Sequence, residues 1–126
     1  MIANPAGTLL FMLDPSGNSV YVYQIGAGGA LGTATLVPTP GFSPVNLTTD
    51  GQGKYLYATN GLSGNHTPGT GIAEFLINAN GSLTSIGTFA SQMWQVAGEP
   101  TGNFLIGTTG RSVFDNGSDD DHLCAR

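Results

Sequence analysis

The stretch "GQGKYLYATNG", Gly51 to Gly61, opens on a glycine turn, packs Tyr55, Leu56 and Tyr57 into one short run and stops on Asn-Gly. Apolar and aromatic residues held between two turn signals read as a single β-strand. What decides the fold is whether the pattern stands alone. Setting "NPAGTLLFML", "DGQGKYLYAT" and "EPTGNFLIGT" beneath one another aligns Gly7, Gly53 and Gly102, which stand 46 and 49 positions apart. Each glycine precedes one polar residue and then a run of apolar ones, so the stretch is one of three copies of a repeat unit.

A second landmark repeats beside the first. "VYVYQIGAGGAL" (Val20 to Leu31) matches "IAEFLINANGSL" (Ile72 to Leu83), 52 positions later. The larger offset arises because the link between landmarks lengthens, from "DPSGNS" to "NGLSGNHTPGTG" and then to "TGRSVFDNGSDDD". Each period thus holds four strand-sized pieces. Thr8–Leu13, Tyr55–Thr59 and Phe104–Thr108 form one set, and Ser19–Ile25 and Ile72–Ile77 a second. Leu31–Val37 and Leu83–Phe89 follow a glycine turn, and Pro44–Thr49 and Met93–Ala97 complete the period. Four strands in just under fifty residues is the signature of a β-propeller blade.

Composition agrees with an all-β chain. Of 126 residues, 9% are charged and 40% hydrophobic, and 20 are glycine, so polar positions fall to Gly, Thr, Ser and Asn. That mixture favours short strands and tight turns. Lys54, Arg111 and Arg126 are the only basic side chains and the net charge is -5, which argues against a nucleic-acid or anionic-membrane partner. Cys124 is alone, so neither an internal disulfide nor a thiolate zinc site is available. The apolar run Leu9–Leu13 is too short for a signal-peptide core or a membrane span, and the compartment, cytoplasmic or extracytoplasmic, stays open. "GAGGALG", Gly26 to Gly32, leads into a strand, not a helix, and lacks the helix terminus that would bind a dinucleotide phosphate.

At "LTTDGQGKYLYATNG", "FSPVNL" and "FLINANGSLTSIG" the chain resembles the lactonase-type, YVTN-repeat family of seven-bladed β-propellers, which includes 6-phosphogluconolactonase-like proteins. Tyr57-Ala58-Thr59-Asn60 stands in place of the eponymous four residues, and the resemblance runs from about Ala3 to Thr108. It implies a fold of about two and a half four-stranded antiparallel blades: residues 1–38 a partial blade, 42–90 a complete one and 91–126 another partial one. It also implies that Pro44–Thr49 and Met93–Ala97 are innermost. The family's ligand rim would then carry the links between second and third strands, and between each outermost strand and the next innermost.

By this alignment Met1 falls within an innermost strand, and the third strand of the last blade is expected near Asp121, close to the final Arg126. Two and a half blades cannot close a ring. The chain therefore reads as a segment of a longer propeller, with missing blades or self-association expected to cover its ends.

Chemistry is written less legibly. His66, in the long second link, is placed on the ligand rim as a candidate acid/base group or substrate ligand, against the plainer reading of a polar residue in a glycine-rich turn. Arg111 opens the equivalent link of the last blade and suits the anion of a sugar acid; surface solubility is its plainer role. "DNGSDDDH" gathers Asp115, Asp119, Asp121 and His122, oxygen and imidazole ligands of the kind calcium accepts, although the spacing is not that of an EF-hand and a solvated turn explains it as well. Trp94, on an expected innermost strand, is a candidate for stacking on a sugar ring or for packing between blades. Glu99 occupies the turn position of Asp50 one blade earlier and reads as a turn former. No cofactor is implied. Two functions follow: a lactonase-like hydrolase acting on a carbohydrate-derived lactone, or a non-catalytic propeller that binds or scaffolds.

Overall fold

A computed structural model describes residues 1–61, 71–89, 93 and 95–108, together with the backbone of 121–125. Eleven strands are assigned within these residues: β1 (Ile2–Ala3), β2 (Leu9–Asp14), β3 (Ser19–Gln24), β4 (Thr35–Pro38), β5 (Pro44–Thr49), β6 (Tyr55–Asn60), β7 (Ile72–Ile77), β8 (Leu83–Phe89), β9 (Gln95–Gly98), β10 (Phe104–Thr108) and β11 (Asp121–Ala125). They form a first sheet β1-β2-β3-β4, a second β5-β6-β7-β8 and a third β9-β10-β11. Neighbours in each sheet are antiparallel and follow chain order. The described residues are nearly all β, in two four-stranded antiparallel sheets of the kind expected of β-propeller blades and a third sheet of three strands.

The repeat is structural, down to single hydrogen bonds. Ile2 pairs with Phe11, Thr48 with Tyr57 and Ala97 with Ile106, one register used three times. At each β1–β2-type turn one side-chain oxygen gathers two main-chain N–H groups. Thr8 and Leu9 donate to Asn4 Oδ1, both at 2.9 Å. Lys54 and Tyr55 donate to Asp50 Oδ1 at 2.7 and 2.9 Å, and Asn103 and Phe104 to Glu99 Oε1 at 2.6 and 3.3 Å. The N–H groups of Gly7, Gly53 and Gly102 donate to the carbonyls of Asn4, Asp50 and Glu99 at 2.9, 3.1 and 3.1 Å. Their φ angles of 67°, 69° and 78° are left-handed, which a glycine adopts without steric cost. This is why those three glycines align in the sequence.

Strand alternation gives the second sheet two apolar faces. On one, Leu47, Leu56, Ala58, Ala73 and Phe75 pack against Leu9, Phe11, Val20 and Val22 of the first sheet. On the other, Tyr57 and Ile72, flanked by Tyr55 and Phe89, pack against Met93, Val96 and Leu105. Polar ties cross both seams: Gln24 Nε2 donates to the Asn80 carbonyl at 3.1 Å, and Gln52 Nε2 to that of Thr101 at 2.8 Å. Where edge strands β5 and β9 meet, the backbones approach so closely that a Cβ on Gly98 would stand 2.3 Å from the Thr49 carbonyl oxygen.

Five strands differ from the sequence reading, three of them by a single residue: Leu9–Asp14 for Thr8–Leu13, Ser19–Gln24 for Ser19–Ile25 and Tyr55–Asn60 for Tyr55–Thr59. The other two differ by more. The stretch expected as Leu31–Val37 is strand only at Thr35–Pro38, because a 3-10 turn at Ala27–Gly29 leads to a single bridge between Ile25 and Leu31, with no continuous ladder before Thr35. The expected Met93–Ala97 is observed as Gln95–Gly98, with Met93 turned into the second core.

Candidate functional site

In an up-and-down sheet the second-to-third links leave from one end and the first-to-second turns from the other. The first of these ends is joined by polar contacts into a continuous rim. The β2–β3 link ends at Asn18, whose backbone is left-handed at φ 49°, a conformation asparagine tolerates. Its carbonyl accepts the Thr39 N–H at 2.8 Å and the Thr39 hydroxyl at 2.9 Å, and its Oδ1 accepts the Ser43 N–H at 2.7 Å. Thus the β2–β3 link holds the β4–β5 link. The Gly61 N–H donates to the Ser43 carbonyl at 2.8 Å, bringing in the end of β6.

Asn60, the last residue of β6, is the centre of this arrangement. It is buried, and its Nδ2 donates to the carbonyls of Pro40 at 3.1 Å and Gly71 at 3.0 Å. One amide therefore ties the β4–β5 link to both ends of the β6–β7 link. Its Oδ1 has no hydrogen-bond partner among the described residues. Beside this network Phe42 is 60% exposed, an aromatic face on the β4–β5 link. Asn18, Phe42 and Asn60 were not singled out by sequence. The signals present were Asn18 closing "DPSGN" and Asn60 ending the strand of the repeat; Phe42 carried none.

His66, Trp94, Arg111, Asp115 and Asp119 lie outside the described residues. So do the side chains of Asp121 and His122, whose backbone belongs to β11 and pairs with Thr108 and Gly107. The link carrying His66 leaves the rim at Gly61 and returns at Gly71. Among the described residues no three His, Cys, Asp or Glu side chains come together as a metal site. The side chains of the Asp115–His122 stretch, expected as calcium ligands, are outside them.

Two of the described carboxylates are held in their charged form by turn donors. The hydroxyl and N–H of Thr101, then the N–H groups of Asn103 and Phe104, lower Glu99 to about 2. Gly17 N–H, then the Ser16 hydroxyl, lower Asp14. A carboxylate held this far down is a poor proton carrier near neutrality. Glu99 is the turn former its position predicts.

The opposite end of the first two sheets opens a cleft of about 440 Å³ lined by Asn4, Thr8, Gln24, Ile77, Asn78 and Gly81. Its amides are engaged in the turns themselves, as Asn4 with Thr8 and Leu9, and Asn78 with Ser82 and Thr84. It reads as a seam between sheets. No helix among the described residues is long and apolar enough to cross a membrane.

The same fold occurs in solved proteins. A structure from Bacteroides fragilis, provisionally named a 6-phosphogluconolactonase, superimposes with a TM-score of 0.67 at 24% identity over 84% of this chain and 30% of its own. A second from Bacteroides uniformis, with the same provisional name, matches with a TM-score of 0.67 at 18% identity over 98% of this chain and 39% of its own. The fold is that of lactonase-like proteins, and the chain spans 30 to 39% of the length of these two. No protein-family model and no curated protein matches the chain.

Proposed function

We propose that the chain forms part of a lactonase-like, YVTN-repeat β-propeller that binds a carbohydrate-derived lactone on the rim around Asn60 and hydrolyses it. The blades are 1–38 (partial), 42–90 (complete) and 91–126 (partial), and further repeats complete the ring. The observation that carries this reading is the thrice-repeated turn at Asn4, Asp50 and Glu99, in a fold shared with two proteins bearing a lactonase name.

The chemistry assigned to the rim is simple. Phe42 offers an apolar surface to the C–H face of a sugar ring. Arg111 holds the acid or phosphate group of the ligand. Water adds to the lactone carbonyl carbon, giving a proton to His66, and the ring C–O bond breaks as its oxygen takes up a proton to leave the open hydroxy acid. Hydrolysis of gluconolactone and of its 6-phosphate, followed by acid release and corrected for the spontaneous rate, tests the proposal. The protein should exceed the spontaneous rate, and His66→Ala and Arg111→Ala should each lower kcat/KM by about 100-fold or more. No rate above background, with the lactone still bound, would instead establish a non-catalytic binding propeller. The exposed Phe42 and the amide and hydroxyl groups of the rim suit that second reading.

A further inference from the structure

The same dipeptide stands in two opposite settings. Asn60-Gly61 closes β6, and Asn80-Gly81 turns the chain from β7 into β8. An asparagine before glycine is prone to cyclise, because the glycine nitrogen carries no neighbouring side chain to hinder its approach to the amide carbon. Asn60 is closed to this reaction. It is buried, its Nδ2 is held by the carbonyls of Pro40 and Gly71, and the Gly61 N–H by that of Ser43 at 2.8 Å. Asn80 is exposed, and its Oδ1 accepts both the Ser82 N–H at 3.0 Å and the Ser82 hydroxyl at 2.8 Å. Those donors polarise Cγ and stand where negative charge gathers when a nucleophile adds to it. The glycine beside it is fixed by the fold. Gly81 has a left-handed φ of 83°, and a Cβ there would stand 2.9 Å from Leu9 Cδ2 and 3.0 Å from Gln24 Nε2. Packing of the first sheet on the second thus retains the reactive pair.

We propose that Asn80-Gly81 is a site of self-modification, converting to aspartate and isoaspartate, and that the isoaspartate loosens the seam between the first and second sheets. Hydroxide takes the Gly81 N–H proton once the bond from this group to the Asn78 carbonyl, 2.8 Å, opens, a local event at an exposed hairpin tip. The nitrogen attacks Asn80 Cγ, an N–Cγ bond forms, and the charge settles on Oδ1 between its two Ser82 donors. The Cγ–Nδ2 bond then breaks, and Nδ2 takes a proton from water and leaves as ammonia. A cyclic imide remains, which water opens. Cleavage of the new N–Cγ bond gives aspartate; cleavage of the original peptide bond gives isoaspartate, whose main chain runs through Cβ. In the isoaspartate the carbonyl that accepts Gln24 Nε2 at 3.1 Å has become a free carboxylate on a lengthened backbone, and this polar tie between the sheets is displaced. The site lies at the opposite end of the sheets from the rim and is independent of lactone chemistry.

Incubation of the folded chain in mildly alkaline buffer, followed by chymotryptic peptide mapping with mass spectrometry, tests it. Asn80 should convert at least about tenfold faster than Asn60 in the folded chain, and the two rates should converge in urea, where neither setting survives. Ser82→Ala keeps the N–H and loses the hydroxyl, so it should slow Asn80 by about fivefold in the folded chain, the worth of one net hydrogen bond. The isoaspartate form, isolated by anion exchange, should unfold at lower urea than an Asn80→Asp variant, which carries the same charge but keeps the carbonyl for Gln24. Equal folded-state rates at Asn60 and Asn80, or a slower Asn80, overturn the proposal. So does a Ser82→Ala chain that converts as fast as the wild type. An isoaspartate form as resistant to urea as Asn80→Asp overturns the link to the seam.

Discussion

At the scale of single residues, the turn oxygen at positions 4, 50 and 99 does the most with the fewest atoms. One acceptor satisfies two N–H groups that would otherwise sit unmatched at the head of a buried strand. Asp50 is only 3% exposed, so removing its oxygen strands those donors away from water. Asp50→Ala is expected to cost about 1–3 kcal/mol in urea unfolding. Asp50→Asn should cost far less, because Asn4 already performs the same task with an amide. Glu99 brings pH into the turn. Its carboxyl is lowered from 4.5 to about 2 in the folded chain, so its stabilising contribution is complete above pH 4.5 and is lost as pH falls towards 2. Glu99→Gln has no proton to take up there. The wild type should lose stability more steeply than this variant between pH 4.5 and 2, as followed by circular dichroism.

At the scale of strands and turns, the sequence is legible wherever a residue's backbone demand is strict. The three glycines aligned because each occupies a left-handed turn, and Ile72–Ile77, Leu83–Phe89 and Phe104–Thr108 were found to the residue. β4 was read four residues too early, since "LGTATLVP" mixes strand-forming residues with a glycine and nothing in it marks where pairing begins. Another constraint cannot be seen locally at all. Gly98 ends β9 in an ordinary strand context, and only the approach of the Thr49 carbonyl from the adjoining sheet forbids a side chain there. Gly98→Ala should therefore destabilise by about 1–3 kcal/mol, although its local strand propensity improves. A variant as resistant to urea as the wild type would show that the two backbones can part without loss. The rim was harder still to foresee. Asn60 and Asn18 gain their meaning from partners about twenty residues away in the chain, and spacing alone does not reveal such pairings.

At the scale of the whole molecule, stability is a matter of how many sheet faces find a partner. In stacked repeats each unit is stabilised mainly by its neighbours, so the second sheet, covered on both sides, should be the last to open and the first and third the first. Amide hydrogen exchange should therefore protect β6 and β7 more than β2 or β10. Equal protection in all three sheets would mean that the outer two hold without cover on a second face. The Asn60 clamp has a consequence of another kind. Because one buried amide fixes the strand end at Asn60 and the returning carbonyl of Gly71, the span between them is bounded by the scaffold whatever its content. The length and content of that span can then change without moving either strand end, much as a tool changes its bit without changing its chuck, with added length costing only about 0.6 kcal/mol per doubling.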